Sequence, residues 1–233
     1  MFLISITFLL LQSCSSKDSG SNSGTTNVPT TVSDTDGNSY QTVAICNQIW
    51  MKSNLNVIHY RNGDIIPQVT DPIQWARLTT GAWCYYQNIT ANGTYFGKLY
   101  NWYAVNDSRG IAPSGWHIPS ENEALSMINC LGGWQIAGGK MKSTANATWA
   151  YPNLGANNSS GFNAVTGGVL DSTMPTSSNP SSSFSTSGFT ANWWTTTNDG
   201  TYSVCFTNNY NLTTCYTFGT SPRSGFSVRC IKD

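Results

Sequence analysis

Residues 95–120, which read YFGKLYNWYAVNDSRGIAPSGWHIPS, constrain the fold more than any other part of this chain. Residues 99–106 are apolar on nearly every side, which predicts a short buried helix. A second helix is predicted over residues 120–131, because Ser120 and Glu123 match a capping box and Gly132 and Gly133 follow as a helix end. The chain must therefore fold around two successive helices, the first of them enclosed in a core.

Strand patterns flank these helices. Asp36, Gly37 and Asn38 form a tight-turn pattern that leads into alternating apolar residues, which predicts an N-terminal hairpin. The DxDGN string at this turn also resembles part of a calcium loop, but position 12 of such a loop falls on Ile45, so the turn is the preferred interpretation. After the helices, short strands are predicted at residues 162–165, 193–197, 202–206, 212–218 and 226–231, the last of them inside a sheet and close to the N-terminal strand. This order indicates an α+β fold with mainly antiparallel strands in one domain, residues 34–233.

The low charge limits the partners that the chain can bind. Charged residues make up 9% of the chain, against about 25% in ordinary globular proteins, and 11 basic residues balance 11 acidic ones. Nucleic-acid binding needs clustered lysine and arginine, so we expect no nucleic-acid partner. The sequence has two histidines and no CxxC motif. We therefore predict no metal site and no cofactor.

The N-terminal segment predicts export and anchoring. Residues 1–13 contain an apolar stretch that is too short to span a bilayer and is typical of a signal peptide. The residues from Leu11 to Cys14 resemble the lipobox of bacterial lipoproteins, which implies acylation of Cys14. Residues 14–33 then form a lipid-anchored tether rich in Ser, Gly, Thr and Asn. We expect an outer-membrane lipoprotein of the cell envelope that faces the surface or the periplasm, with the membrane as partner; the alternative is a secreted protein with an unrelated Cys14.

The other six cysteines predict a disulfide-stapled domain. Exported chains with an even number of cysteines usually pair all of them, although the sequence leaves many pairings open. Cys205 and Cys215 flank two strand-like runs around an Asn-rich turn, which would place them opposite each other across a hairpin. The remaining cysteines are Cys46, Cys84, Cys130 and Cys230.

Three strings resemble a known family. The YNWYAV block, the GWHIPS step and the terminal GFSVRC are similar to the Fibrobacter succinogenes major paralogous domain, a module of bacterial secreted proteins and lipoproteins without a general biochemical function. The family's GAxC and VRC strings recur at residues 81–84 and 228–230, which implies a disulfide between Cys84 and Cys230 and leaves Cys46 with Cys130. The order of helices and strands also resembles the C-type lectin fold, whose general architecture the formylglycine-generating enzymes share.

Two arginines are expected to make structural contacts. Arg109 lies in the polar loop after the first predicted helix, where it is expected to pair with Asp107 or a neighbour. Arg229 alternates with Val228 and Cys230 on the last predicted strand, and we expect a buried, ion-paired residue that fixes the fold.

Catalysis is the less favoured function. His59 and His117 are the only histidines. No GxSxG string accompanies His117, so a packed, hydrogen-bonded core histidine is preferred there to a catalytic base. The formylglycine-generating enzymes depend on reactive cysteines, which makes Cys205 and Cys215 the thiols to consider if the chain is a divergent enzyme of that type. The hairpin between them favours an inert disulfide instead.

Binding is the favoured function. The EPN and QPD tripeptides of calcium-dependent lectins are absent, so calcium is not predicted. Exposed aromatic rings can still stack on sugars. The candidates for such a surface are Trp83, Tyr85, Tyr86, Trp193 and Trp194. We therefore expect a non-catalytic binding or adhesion module for a glycan or another surface protein; a divergent enzyme and a purely structural surface protein are the alternatives.

Overall fold

The computed structural model describes residues 29–145, 148–171 and 184–233. Within these segments the helices are α1 (Pro72–Ala76), α2 (Thr90–Phe96), α3 (Trp102–Val105), α4 (Glu121–Cys130) and α5 (Ala137–Met141). The strands are β1 (Thr31–Ser33), β2 (Ser39–Ile45), β3 (Gln48–Met51), β4 (Trp83–Cys84), β5 (Leu99–Tyr100), β6 (Trp116–His117), β7 (Val169–Leu170), β8 (Phe184–Ser185), β9 (Thr190–Asn198), β10 (Ser203–Asn209), β11 (Cys215–Thr220) and β12 (Ile231–Lys232). The described strands pair antiparallel, so the chain has the mixed fold with antiparallel sheets that the sequence predicts.

One sheet joins the beginning and the end of the described chain. Its strand order is β1-β2-β3-β12-β6, and Ile231 of β12 lies opposite both Trp50 and His117. The predicted N-terminal hairpin is present as β2 and β3. The predicted turn precedes it, where the Asp34 carboxylate accepts hydrogen bonds from the Asp36 and Asn38 backbone amides at 3.0 and 2.9 Å. β1 lies within the residues that the sequence assigns to the tether, and it pairs with β2.

A second sheet is buried on both faces of its strands β9 and β10, whereas β11 is largely exposed. Its strand order is β11-β10-β9, which matches three of the predicted strands. Side chains alternate across a strand, so Trp193 and Phe206 face one way and Trp194 and Cys205 the other. The first pair packs in a cluster with α4, and the second pair packs in a cluster with β3 and α3. Because of this two-sided burial, the predicted site residues Trp193, Trp194 and Cys205 are enclosed in the core.

Of the two predicted helices, the structure matches the second closely and the first only in part. Ser120 caps α4 as predicted: its hydroxyl accepts from the Glu123 amide at 3.3 Å, and the Glu123 carboxylate accepts from the Ser120 amide at 2.7 Å. The first helix is shorter than predicted, because Leu99 and Tyr100 form β5 and the Asn101 side chain caps α3. Among the helices of the described segments, none is long and apolar enough to cross a membrane.

The predicted strand over residues 226–231 is mostly irregular, because successive residues bond to different elements. Only Ile231 and Lys232 belong to β12. The preceding backbone exchanges a pair of hydrogen bonds with Tyr100, and its carbonyls then accept from the backbone amides of Trp194, Leu55 and Met51 in turn. This buried segment therefore connects both sheets and the β5 pair. The predicted strand at residues 162–165 is likewise a loop, with one bridge between Ala164 and Lys142.

Candidate functional site

The predicted aromatic platform is core. Trp193 and Trp194 are fully buried, and Trp83 and Tyr86 are also buried, whereas Tyr85 is half-buried. The indole nitrogen of Trp193 donates to Asn54 Oδ1 at 2.8 Å and that of Trp194 donates to the Tyr100 carbonyl at 2.8 Å. Trp193 and Trp194 are closed to a stacking ligand, because β9 and β10 are covered on both faces. Trp83 and Tyr86 are buried outside this sheet, and Tyr85 packs edge-on against the Trp83 ring at 5.1 Å.

A surface groove has the chemistry expected of a binding site. It lies between β2, the segment after β3 and the end of α2, and its volume is about 210 Å³. Asparagine, serine, threonine, tyrosine and glycine alone line it, and Tyr95 at its edge is 74% exposed. We call it the Tyr95 cavity. The residues that line it include no Asp, Glu, Lys, Arg or His, and burial and the Asp34 hydrogen bond raise the pKa of Tyr40.

Two amides in the Tyr95 cavity are held in defined orientations. The Asn38 nitrogen Nδ2 donates to the Asp34 carboxylate at 2.8 Å, and the Lys98 ammonium donates to Asn56 Oδ1 at 2.7 Å. A carboxylate only accepts and an ammonium only donates, so these contacts fix which end of each amide is oxygen. Among the described residues, no donor reaches Asn38 Oδ1 and no acceptor reaches Asn56 Nδ2. The cavity thus presents one oriented acceptor and one oriented donor.

Two glycines bring α2 against the wall of the Tyr95 cavity. Gly97 has φ +70°, and a Cβ there would lie 2.7 Å from the Leu55 carbonyl. A Cβ on Gly93 would lie 2.3 Å from the Tyr85 ring. The Asn54 nitrogen Nδ2 also donates to the Phe96 carbonyl at 2.9 Å. The end of α2, and Tyr95 with it, is therefore held by close backbone packing. Sequence reasoning missed this site because its residues share no motif.

A second cavity of about 430 Å³ adjoins the first. Ser39 and Ser53 line both cavities, and Lys52 is the one ionisable residue that lines the second. We call it the Lys52 cavity.

The comparison with known families identifies the domain. The family model of the Fibrobacter succinogenes major domain (Fib_succ_major) matches residues 43–232. The chain belongs to this family. No curated protein and no solved structure matches it. The matched range contains the 95–120 block and the terminal GFSVRC string, so the resemblance seen in the sequence is confirmed for this Fib_succ_major domain.

One disulfide of the Fib_succ_major domain is confirmed in the described residues. Cys46 and Cys130 are bonded, with their Cα atoms 6.6 Å apart. Cys46 lies in the turn between β2 and β3, and Cys130 is the last residue of α4. The bridge therefore ties the N-terminal hairpin to the capped helix at the surface.

The predicted bond between Cys205 and Cys215 is not formed, because the strand register separates the two residues. Cys205 lies opposite Phe218 and Cys215 lies opposite Asn208. The offset of three positions places the two thiols on opposite faces of the sheet. Each is buried in a different core cluster.

The bond between Cys84 and Cys230 that the family resemblance implied is also not formed. Cys84 lies in the cluster around Trp75, and Cys230 lies in the cluster that contains Trp116. Both are buried free thiols, as are the two cysteines of the hairpin. Burial raises the pKa of all four thiols, which keeps them protonated and unreactive in the folded state.

His117 is hydrogen-bonded, as predicted, but its ring lies at the surface and is 39% exposed. Its Nδ1 atom lies 2.6 Å from Asp233 Oδ1 and its Nε2 atom lies 2.9 Å from Glu123 Oε1. With both ring nitrogens engaged by carboxylates, neither is available to activate a nucleophile. His59 pairs through Nδ1 with Asp36.

His117 should make the stability depend on pH. Partial burial lowers its pKa, but the hydrogen bonds to Glu123 and Asp233 outweigh burial and raise the pKa above the usual 6.5. The protonated ring then stabilises the fold below about pH 6.5, and this stabilisation is lost as the pH rises through the folded-state pKa. Solvent screening of the partly exposed ring limits this stabilisation to below about 1 kcal/mol.

The measurement is the melting temperature between about pH 6 and pH 9 for the protein and for His117→Gln. The variant should lose part of the decline that the protein shows with rising pH. Asn122→Gln, at an exposed position of α4, is the matched control. An unchanged profile in His117→Gln would contradict the assignment.

The remaining charged clusters are structural. Arg109 pairs with Asp107 at 2.8 Å, as predicted, and with Asp64 at 3.0 Å. Arg229 is buried, but its partners are the Asn54 amide and the Phe162 carbonyl rather than a carboxylate. In residues 29–145, 148–171 and 184–233, no three His, Cys, Asp or Glu side chains lie close enough together to hold a metal ion.

Proposed function

We propose that this chain is a non-catalytic module that binds a glycan without calcium, and that the Tyr95 cavity is its binding site. The observation that carries this proposal is the uncharged lining of the cavity together with an exposed ring at its edge. Neighbouring hydroxyls of a sugar both donate and accept hydrogen bonds, which suits the oriented Asn38 oxygen and Asn56 nitrogen. The apolar face of a sugar ring suits the exposed ring of Tyr95.

A glycan array probed with the purified protein should reveal bound structures, and two substitutions should weaken the strongest of them. Asn56→Asp keeps the contact with Lys98 but replaces the outward donor with an acceptor, so affinity should fall by about 10- to 100-fold. Tyr95→Ala removes the stacking ring and should reduce affinity by roughly 3- to 10-fold. Titration calorimetry gives both values, and a chelator should leave them unchanged.

Tyr151→Ala is the matched control, because Tyr151 is 94% exposed and lines a different cavity. It should bind like the unsubstituted protein, and all three variants should keep its melting temperature. Binding that survives Asn56→Asp and Tyr95→Ala would place the site elsewhere. An array without any bound glycan would favour the other ligand class, a surface protein.

We also propose the C-type-lectin-like architecture and attachment to the cell envelope. The sheet in which the last strand β12 pairs with β3 of the N-terminal hairpin, together with the capped α4, supports the architecture. The signal peptide, the acylated Cys14 and most of the tether lie outside the described residues, so anchoring rests on the lipobox. Mass spectrometry of the mature N-terminus tests it, and an unmodified terminus at another residue would refute it.

The enzyme alternative has less support. A formylglycine-generating-type mechanism needs reactive thiols, whereas Cys205 and Cys215 are buried on opposite faces of a sheet. Oxidation of a cysteine-containing peptide that is lost on Cys205→Ser would nevertheless favour it.

A further inference from the structure

The cavity beside the Tyr95 cavity points to the class of glycan. We propose that the ligand carries an anionic group, a carboxylate or a sulfate ester, and that the Lys52 cavity binds it. This inference rests on the proposed glycan-binding function. The Tyr95 cavity would hold a neutral part of the same molecule.

The two cavities form one continuous surface. Ser39 and Ser53 line both of them. Ser39 and Gln41 are exposed while Tyr40 between them is buried, so both outward side chains of β2 face the surface. A ligand seated on Tyr95 that runs along β2 would therefore reach Gln41 and Lys52. This arrangement fits an oligosaccharide rather than a single sugar.

The Lys52 cavity is rich in donors. The Lys52 ammonium lies 3.4 Å from Gln41 Oε1, which leaves the Gln41 nitrogen to donate. Asn158 Oδ1 accepts from the Asn163 amide at 2.8 Å, which leaves the Asn158 nitrogen to donate. No acidic side chain lines the cavity, and Lys52 forms no ion pair with the described residues. Carboxylates and sulfates accept without donating, so they match this set.

The wall of the Lys52 cavity is built by a packed loop. Gly161 has φ +71°, and a Cβ there would lie 2.9 Å from the Val43 side chain, so the loop approaches β2 this closely only with glycine. The Ser160 amide and hydroxyl both donate to the Lys140 carbonyl, at 3.1 and 2.9 Å. These contacts hold Asn158 in place without a ligand.

The test uses matched pairs of oligosaccharides on the full chain. One pair is an oligogalacturonide as the free acid and as its methyl ester, and the other is a sulfated galactan oligosaccharide and its desulfated form. The anionic member of at least one pair should bind about tenfold more tightly. Which pair shows the preference distinguishes a carboxylate from a sulfate. The preference should shrink as sodium chloride is raised, because exposed charges are screened.

Lys52→Gln should abolish the tenfold preference for the anionic member. Lys232→Gln, which removes an exposed lysine outside both cavities, should keep it. Equal binding within each pair, still reduced by Tyr95→Ala, would overturn this inference alone, as would a preference that survives Lys52→Gln. Absence of binding to every glycan would overturn the inference together with the proposed function.

Discussion

Replacement of Asn54 by alanine should lower the free energy of unfolding by about 3–5 kcal/mol. Asn54 is 4% exposed and occupies the centre of a polar network. Its oxygen accepts from Arg229 Nη2 at 2.6 Å, Arg229 Nε at 3.1 Å and Trp193 Nε1 at 2.8 Å. Its nitrogen donates to the Phe96 carbonyl at 2.9 Å and to the Ser227 hydroxyl at 3.1 Å.

The expected loss of stability is large because the substitution leaves buried hydrogen-bond donors without their acceptor. Arg229 is fully buried, and desolvation lowers its pKa to about 9. Its other contacts are the Phe162 carbonyl and the faces of Phe162 and Trp193, at 4.2 and 5.5 Å from the guanidinium carbon. Without the Asn54 oxygen, the buried Arg229 guanidinium keeps only its hydrogen bond to the Phe162 carbonyl, and the buried Trp193 indole nitrogen loses its acceptor. The loss is a large part of the total stability of a typical domain.

Urea unfolding of Asn54→Ala measures this cost. Asn122→Ala, at an exposed position of α4, is the matched control and should stay within about 0.5 kcal/mol of the unsubstituted protein. Asn54→Asp keeps the acceptor and supplies a counter-charge, so it should cost less than alanine. If Asn54→Ala lowered the free energy of unfolding no more than Asn122→Ala, the Asn54 network would not stabilise the fold as proposed.

Local signals predicted the local structure correctly. The capping box at Ser120 identifies α4 because both of its hydrogen bonds are made within one turn of chain. The N-terminal hairpin and the three strands of the second sheet follow from alternation, which needs no knowledge of distant residues. The first helix was placed too early because Leu99 and Tyr100 are apolar in either structure, and pairing with Trp83 and Cys84 makes them a strand.

Features that depend on register or on distant segments could not be read from the sequence. Cys205 and Cys215 flank a turn, which suggests that they pair across a hairpin. The register of β10 against β11 offsets them by three positions, so they lie on opposite faces as two buried thiols. Trp193 and Trp194 are adjacent on a strand, so their side chains lie on opposite faces of the sheet, and one of them would be exposed if either face met solvent. Both are buried because a separate core cluster covers each face. The Tyr95 cavity combines β2, the segment after β3 and α2, which no spacing in the sequence connects.

Loss of the Cys46–Cys130 bond should lower the free energy of unfolding by about 2–4 kcal/mol. The two cysteines are separated by 84 positions, so the bridge closes a long loop and restricts the unfolded chain strongly in the chain-entropy account. The bond also joins two elements, the β2–β3 turn and the end of α4, that are far apart in sequence. Urea unfolding of the double variant Cys46→Ser with Cys130→Ser, compared with the protein under oxidising conditions, gives the value.

A reductant then distinguishes one disulfide from three. It should destabilise the unsubstituted protein by about the same amount as the double variant, and it should leave the double variant unchanged. The four buried thiols should react with a thiol reagent only after unfolding, because burial raises their pKa and blocks access. If a reductant destabilised the double variant further, a Cys84–Cys230 or Cys205–Cys215 bond would have to exist in the oxidised protein. The strand register of β10 and β11 opposes the second of these bonds, since closing it would require one strand to slip by three positions relative to the other, an odd number that turns a buried face outward.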